Sequence, residues 1–162
     1  VAGVTNVVVA GVGGQGVIKA SDILADAACR AGHDVKKAEI HGMSQRGGSV
    51  TSDVRFGEAV RSPMVPRGEA DFLVVLAPDQ VELSRDVLRP GGVLIGPDFV
   101  PEESLPNRRS LNVALLGALS RHLDIPERTW LEAMRAALPE RLHELNEKAF
   151  RMGREAAARA AR

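Results

Sequence analysis

Val7-Val8-Val9-Ala10-Gly11-Val12-Gly13-Gly14-Gln15-Gly16-Val17 is the stretch that decides how this chain folds. The apolar run at 7–10 has the unbroken character of a strand buried on both faces. Glycines follow at once. From Val17 onward, Ala20, Ser21, Leu24, Ala27, Ala28 and Ala31 recur at helical spacing, and Gly32 can stop the helix. A strand over 6–10, a glycine turn and a helix over 16–31 make an anion cradle. Glycine lets the backbone turn with positive φ and approach a ligand closely. The helix start adds unpaired N–H groups and the positive end of its dipole. Gly11, Gly13, Gly14, Gln15 and Gly16 are the candidate binding residues.

The spacing fits the dinucleotide fingerprint G-x-G-x-x-G, with the flanking strand and helix that it requires. A nicotinamide site also needs an acid at the end of the second strand, roughly 20 residues on. Glu39 has about that spacing, but Asp34-Val35-Lys36-Lys37-Ala38-Glu39-Ile40 is polar and alternating, unlike a buried parallel strand. A triphosphate loop is excluded more firmly, because Val17 and Ile18 stand where Lys and Ser or Thr would be needed. The bland alternative is a turn whose glycines serve only close packing of helix on sheet.

The 162 residues suffice for one domain with a proper core, and 44% are hydrophobic, which argues against disorder. Basic and acidic residues number 21 each, so no net field draws in nucleic acid or an anionic membrane. Four Phe, one Trp and no Tyr make a base-stacking platform unexpected. No apolar stretch is long enough to span a bilayer and no signal peptide is evident, so a cytoplasmic location is expected. The single cysteine, Cys29, sits among alanines and reads as a small buried hydrophobe. One thiol cannot hold an iron–sulfur cluster. His33, His122 and His143 lack metal-ligand spacing, and neither paired carboxylates nor an activated nucleophile is apparent, so no catalytic or metal residue is assigned.

A short strand is expected within 34–40. Val50, Ser52, Val54 and Phe56 alternate with polar residues, which predicts a half-buried strand; Gly57-Glu58 then turns it into a second strand over 59–65, an antiparallel hairpin. Phe72 to Ala77 reads as a central parallel strand, 79–88 as a helix, 93–96 as a buried strand and 97–111 as a surface loop. Helices are expected over 112–123 and 127–138 and from about Glu140, with 153–162 a frayed tail. The fold class is α/β: one three-layer α/β/α domain over 1–162, its mainly parallel sheet carrying an antiparallel hairpin and its last third helical.

The loop His41-Gly42-Met43-Ser44-Gln45-Arg46-Gly47-Gly48 is compact and rich in donors. Arg46 is a fixed-charge fork suited to phosphate or carboxylate, whether on a ligand or on a partner protein. Lys36 and Lys37 either assist it or form a solvated edge. Met43, Val60, Met64 and Val65 suggest an apolar patch for a partner, or core. A cofactor cradle without chemical machinery points to a subunit that presents a ligand to another chain.

Gly11 to Gly16, then Glu39 to Ser49, then Val54-Arg55-Phe56-Gly57 resemble the gamma-type domain of 2-oxoacid:ferredoxin oxidoreductases, and within them the small subunit of the indolepyruvate type. The likeness continues through Glu69-Ala70-Asp71, Pro90-Gly91-Gly92 and Asn112 to Gly117. The resemblance implies oxidative decarboxylation of a 2-oxo acid on thiamine diphosphate, with electrons passed by iron–sulfur clusters to ferredoxin and the acyl group to coenzyme A. It implies that the large partner subunit carries the thiamine and the clusters, and that this chain shares coenzyme A with it. The glycine turn at 11–16 would then meet phosphates, with Arg46 as charge partner. The chain alone would be inactive, and self-association of the isolated chain through its partner face stays open. Two other readings remain: an independent NAD(P)-binding oxidoreductase, and a pure scaffold.

Overall fold

A computed structural model describes residues 3–41 and 48–161. Five strands form one sheet: β1 (Val4–Val12), β2 (Asp34–His41), β3 (Ser49–Gly57), β4 (Ala70–Val75) and β5 (Leu88–Ile95), in the order β2-β3-β1-β4-β5. β4 pairs in parallel with both β1 and β5, while β3 runs antiparallel to both β1 and β2. Four strands therefore point one way and β3 alone opposes them. Polar, Lys-bearing β2 occupies an edge, where alternation and charge are tolerated and discourage further pairing.

The antiparallel hairpin is real, but its strands are β2 and β3 rather than 49–57 and 59–65. β3 already has neighbours on both sides, so no ladder is left for a strand at 59–65. That segment instead crosses as a strap held by side chains. Asp34 accepts the Val60 N–H at 2.8 Å, Asp53 accepts the Val65 N–H at 2.9 Å, and Arg55 donates to the Ser62 carbonyl at 2.8 Å. Val60 is core and Val65 packs on the sheet, leaving Met64 as the exposed apolar residue of the strap.

The helices are α1 (Val17–Arg30), α2 (Gln80–Ser84), α3 (Leu111–Ser120), α4 (Glu127–Ala137) and α5 (His143–Ala160). Four of them cover one sheet face. Their buried residues join Val7, Val9, Val54, Val74 and Ile95 in the main core, with Trp130 and Phe150 as its largest side chains. Every residue of α3 from Asn112 to Ser120 is buried, as expected of a helix apolar all round and covered on every side. The opposite face carries a smaller cluster, Val8, Ala10, Ala70, Leu73 and Val75, roofed by short α2 and the strap. The third layer is thus thin.

Two expectations are corrected. Cys29 is exposed, because it lies on the face of α1 opposite the buried stripe Ala20–Leu24–Ala27–Ala28. Residues 153–160 are the last two turns of α5, tied down by packing of Gly153 on α3 and by buried Ala157. Among the described residues, no helix is long and apolar enough to cross a membrane.

Candidate functional site at the carboxyl ends of the central strands

β1 leads into α1 on the four-helix face, whereas β4 leads through α2 on the other face. Adjacent strands whose connections leave to opposite sides create a crevice at their carboxyl ends, where open α/β sheets bind ligands. The glycine turn lies in that crevice.

Gly11 closes β1. A Cβ there would come within 2.8 Å of both Gln15 Oε1 and Val17 Cγ2. Gly16, at φ 82°, precedes α1, and a Cβ on it would stand 2.5 Å from Asn112 Nδ2. These two glycines serve packing and conformation. Gly13 and Gly14 are exposed at the tip with open space around them, and Gly14 has φ 86°. They leave bare backbone facing solvent, as an approaching anion requires.

Gln15 behaves differently from the glycines. Its Oε1 accepts the Val12 N–H at 2.9 Å and its Nε2 donates to the Leu76 carbonyl at 3.2 Å. Both ends of the amide are committed to backbone, so Gln15 shapes the cradle while its flank lines the cleft. Asn112, in the first turn of α3, donates to the Gly16 carbonyl at 3.2 Å. The amino ends of α1 and α3 therefore converge on the turn, and their dipoles add positive potential there.

Over the turn lies a cleft of about 360 Å³ whose walls include Gly14, Gly16, Asn112 and three cations: Lys19, Arg108 and Arg109. The two arginines stand on a single 3-10 turn, Arg108–Ser110, whose start is capped by Asn107 Oδ1 accepting the Arg109 N–H at 2.9 Å. Lys19 Nζ reaches the Ala137 carbonyl at 3.2 Å, and Arg108 is ion-paired with Glu102. That pairing raises the Arg108 pKa from its ordinary value. These three residues were not evident from the sequence. Arg108 and Arg109 are 92 and more residues from Gly16 in the chain, inside a segment that reads only as a proline-bearing loop.

Arg46, with Met43, Ser44 and Gln45, lies outside the described residues. Lys37 stands on edge strand β2, outside the walls of the cleft, and is held by Asp22 and by Glu39 at 2.5 Å. Burial alone would lower its pKa, but the two carboxylates raise it above the ordinary lysine value.

The residues do not fit a nicotinamide site. β3 separates β1 from β2, so the strand of Glu39 lies two spacings, roughly 10 Å, from β1, and its carboxylate is paired with Lys37. Nor does the chain fit an iron–sulfur cluster, since its one cysteine is alone on α1. Among the described residues no group of three His, Cys, Asp or Glu could hold a metal ion. The cradle does fit a phosphorylated anion.

Residues 6–106 match the family described as pyruvate ferredoxin/flavodoxin oxidoreductase. The chain is 34% identical, over 94% of its own length and 95% of the relative's, to the indolepyruvate oxidoreductase subunit IorB of Thermococcus kodakarensis. Its fold matches the gamma subunit of a keto/oxoacid ferredoxin oxidoreductase from Geobacter sulfurreducens with a TM-score of 0.82 at 25% identity, covering 98% and 99% of the two chains. The 2-oxoglutarate:ferredoxin oxidoreductase of Magnetococcus marinus, solved with 2-oxoglutarate, coenzyme A and succinyl-CoA bound, matches with a TM-score of 0.81 at 25% identity, over 97% of this chain and 31% of that one. The sequence and the fold agree: this chain belongs to the pyruvate ferredoxin/flavodoxin oxidoreductase family and is built as a gamma-type domain of the 2-oxoacid:ferredoxin oxidoreductases.

Proposed function

We propose that the chain is the small, non-catalytic subunit of an indolepyruvate-type 2-oxoacid:ferredoxin oxidoreductase and helps to bind coenzyme A. The observation that carries the reading is the cationic cleft over Gly14–Gly16, walled by Lys19, Arg108 and Arg109. The full-length likeness to IorB supports the indolepyruvate assignment, and the coenzyme A bound in the Magnetococcus enzyme supports the ligand.

In this reading the backbone of Gly13 and Gly14 meets the coenzyme's phosphates, while the amino ends of α1 and α3 and the three cations offset their charge. Arg46 adds a further guanidinium. Gln15 holds the ends of β1 and β4 at a fixed separation beneath the phosphates. Coenzyme A, when bound, supplies the thiol that takes the acyl group. Thiamine diphosphate and the iron–sulfur clusters belong to the larger subunit, which also delivers electrons to ferredoxin; the subunit pair works in the cytoplasm.

Reconstitution tests the assignment. The purified chain alone should neither consume indolepyruvate nor reduce ferredoxin, and addition of the large subunit should give coenzyme-A-dependent ferredoxin reduction. Turnover by the isolated chain contradicts a non-catalytic role. Heat of binding with NAD but none with coenzyme A, in the chain or in the complex, favours a nicotinamide enzyme instead.

A further inference from the structure

The two helices whose amino ends converge on the glycine turn also end around one cleft, at the opposite edge of the sheet. α1 stops at Arg30 and α3 at Ser120. Beyond each comes a histidine held to its own helix: the His33 N–H donates to the Ala28 carbonyl at 3.1 Å and the His122 N–H to the Leu119 carbonyl at 2.9 Å. Each imidazole rests against a phenylalanine of the sheet. His33 and Phe56 have ring centroids 5.4 Å apart, and His122 and Phe72 have theirs 5.5 Å apart. Phe56 is on β3 and Phe72 on β4, so β1 runs between the two ring pairs and spaces their strands roughly 10 Å apart. Thr5 of β1, in register with Phe56, lines the gap. The result is a cleft of about 400 Å³ walled on two sides by aromatic pairs. The 14 residues of α1 hold it about 20 Å from the glycine turn, so it is separate from the cationic cleft.

The charge of this cleft is the reverse of that over the glycine turn. Arg89 and Asp71 in its wall are paired at 2.7 Å and offset each other, and Asp71 also accepts the Asn6 N–H at 2.8 Å. That leaves the exposed carboxylate of Asp124 to set the sign. The carboxyl ends of α1 and α3 add partial negative charge. We propose that the cleft is a second ligand site, for a small aromatic amine: a planar ring lies between the two histidine–phenylalanine pairs and its ammonium group meets Asp124. The site goes beyond the proposed function and does not depend on it. Rings set on two sides offer a third ring offset or edge-to-face contacts. The carboxylate, the helix ends and the ring faces all favour a cation and oppose an anion. A cleft of this volume is at the small end of ligand sites, which suits one ring or a fused pair of rings.

Calorimetric titration of the full chain tests the site, with phenethylamine as the probe. It should bind with a Kd of about 1 mM or tighter. Two analogues separate ring from charge. Cyclohexylethylamine keeps the ammonium without the aromatic ring, and hydrocinnamate keeps the ring with the opposite charge; each should bind about fivefold or more weakly than phenethylamine. Asp124→Asn and His122→Ala, both at exposed positions, should each weaken phenethylamine about fivefold. His33→Ala, on the opposite wall, replaces His122→Ala if that variant does not fold. The absence of any binding of phenethylamine overturns the site. Binding of hydrocinnamate as tight as that of the amine overturns the assigned charge, and wild-type affinity in both variants overturns the assigned place.

Discussion

Gln15 and Leu76 join the two strands that flank the crevice: Gln15 Nε2 donates to the Leu76 carbonyl at 3.2 Å, directly beyond the end of β4. The same amide takes the Val12 N–H through Oε1, so one side chain fixes the glycine turn to the neighbouring strand. Gln15→Ala removes both bonds and leaves two partly buried backbone groups unpaired, at about 1–3 kcal/mol of stability. Gln15→Glu keeps the acceptor for Val12 but repels the Leu76 carbonyl. Both variants should raise the KM for coenzyme A about tenfold with kcat preserved, while their melting temperatures fall unequally. Steady-state kinetics of the complex check this, and a wild-type KM in both variants shows that the bridge positions nothing.

Close approach of α3 and α5 depends on two glycines. A Cβ on Gly117 would fall inside contact distance of the Phe150 carbonyl, and one on Gly153 would meet the Ala114 carbonyl. Backbone cannot move aside as a side chain can. Gly117→Ala should cost about 3 kcal/mol, which for a domain of this size lowers the midpoint by roughly 10 °C. Circular dichroism on heating measures it; a midpoint within about 2 °C of wild type contradicts this packing.

Asp53 is the buried carboxylate that holds the strap. Burial pushes its pKa up, against the opposing effects of the Val65 N–H and the charge of Arg55. The folded state thus binds this proton more readily than the unfolded chain does. As pH rises through the window from about 3.9 to the raised folded value, Asp53 subtracts stability, and the penalty is complete above that window. Asp53→Asn keeps an acceptor for Val65 without the charge. Its stability relative to wild type should therefore increase as pH rises through the window and then level off. Denaturant titrations between pH 3.5 and 7 read this. A gap that narrows with rising pH contradicts the assigned direction.

The sheet and its helices were legible where one physical signal dominated: the apolar runs of β1 and β4, the periodicity of α1, α4 and α5, and the polar alternation of β2. The strap was not. Its place after the Gly57-Glu58 turn suggests a returning strand, and the pairing of β3 on both sides forbids one. The glycine turn was legible because positive φ leaves a local mark in the sequence. Its cationic wall was not, because Lys19, Arg108 and Arg109 meet through the packing of α1 against the start of α3, which no local pattern records. Gln15 was found for its place in the motif, yet its amide serves backbone.

Coenzyme A titration of the assembled complex, following ferredoxin reduction by indolepyruvate, tests the central claim most directly. The comparison is between wild-type small subunit and the double variant Arg108→Ala/Arg109→Ala, whose side chains are exposed and outside the core. The variant should keep its kcat, raise the KM for coenzyme A about tenfold or more, and lose much of the wild type's sensitivity to added salt. An unchanged KM with unchanged salt dependence would mean that this cleft does not hold the coenzyme's phosphates.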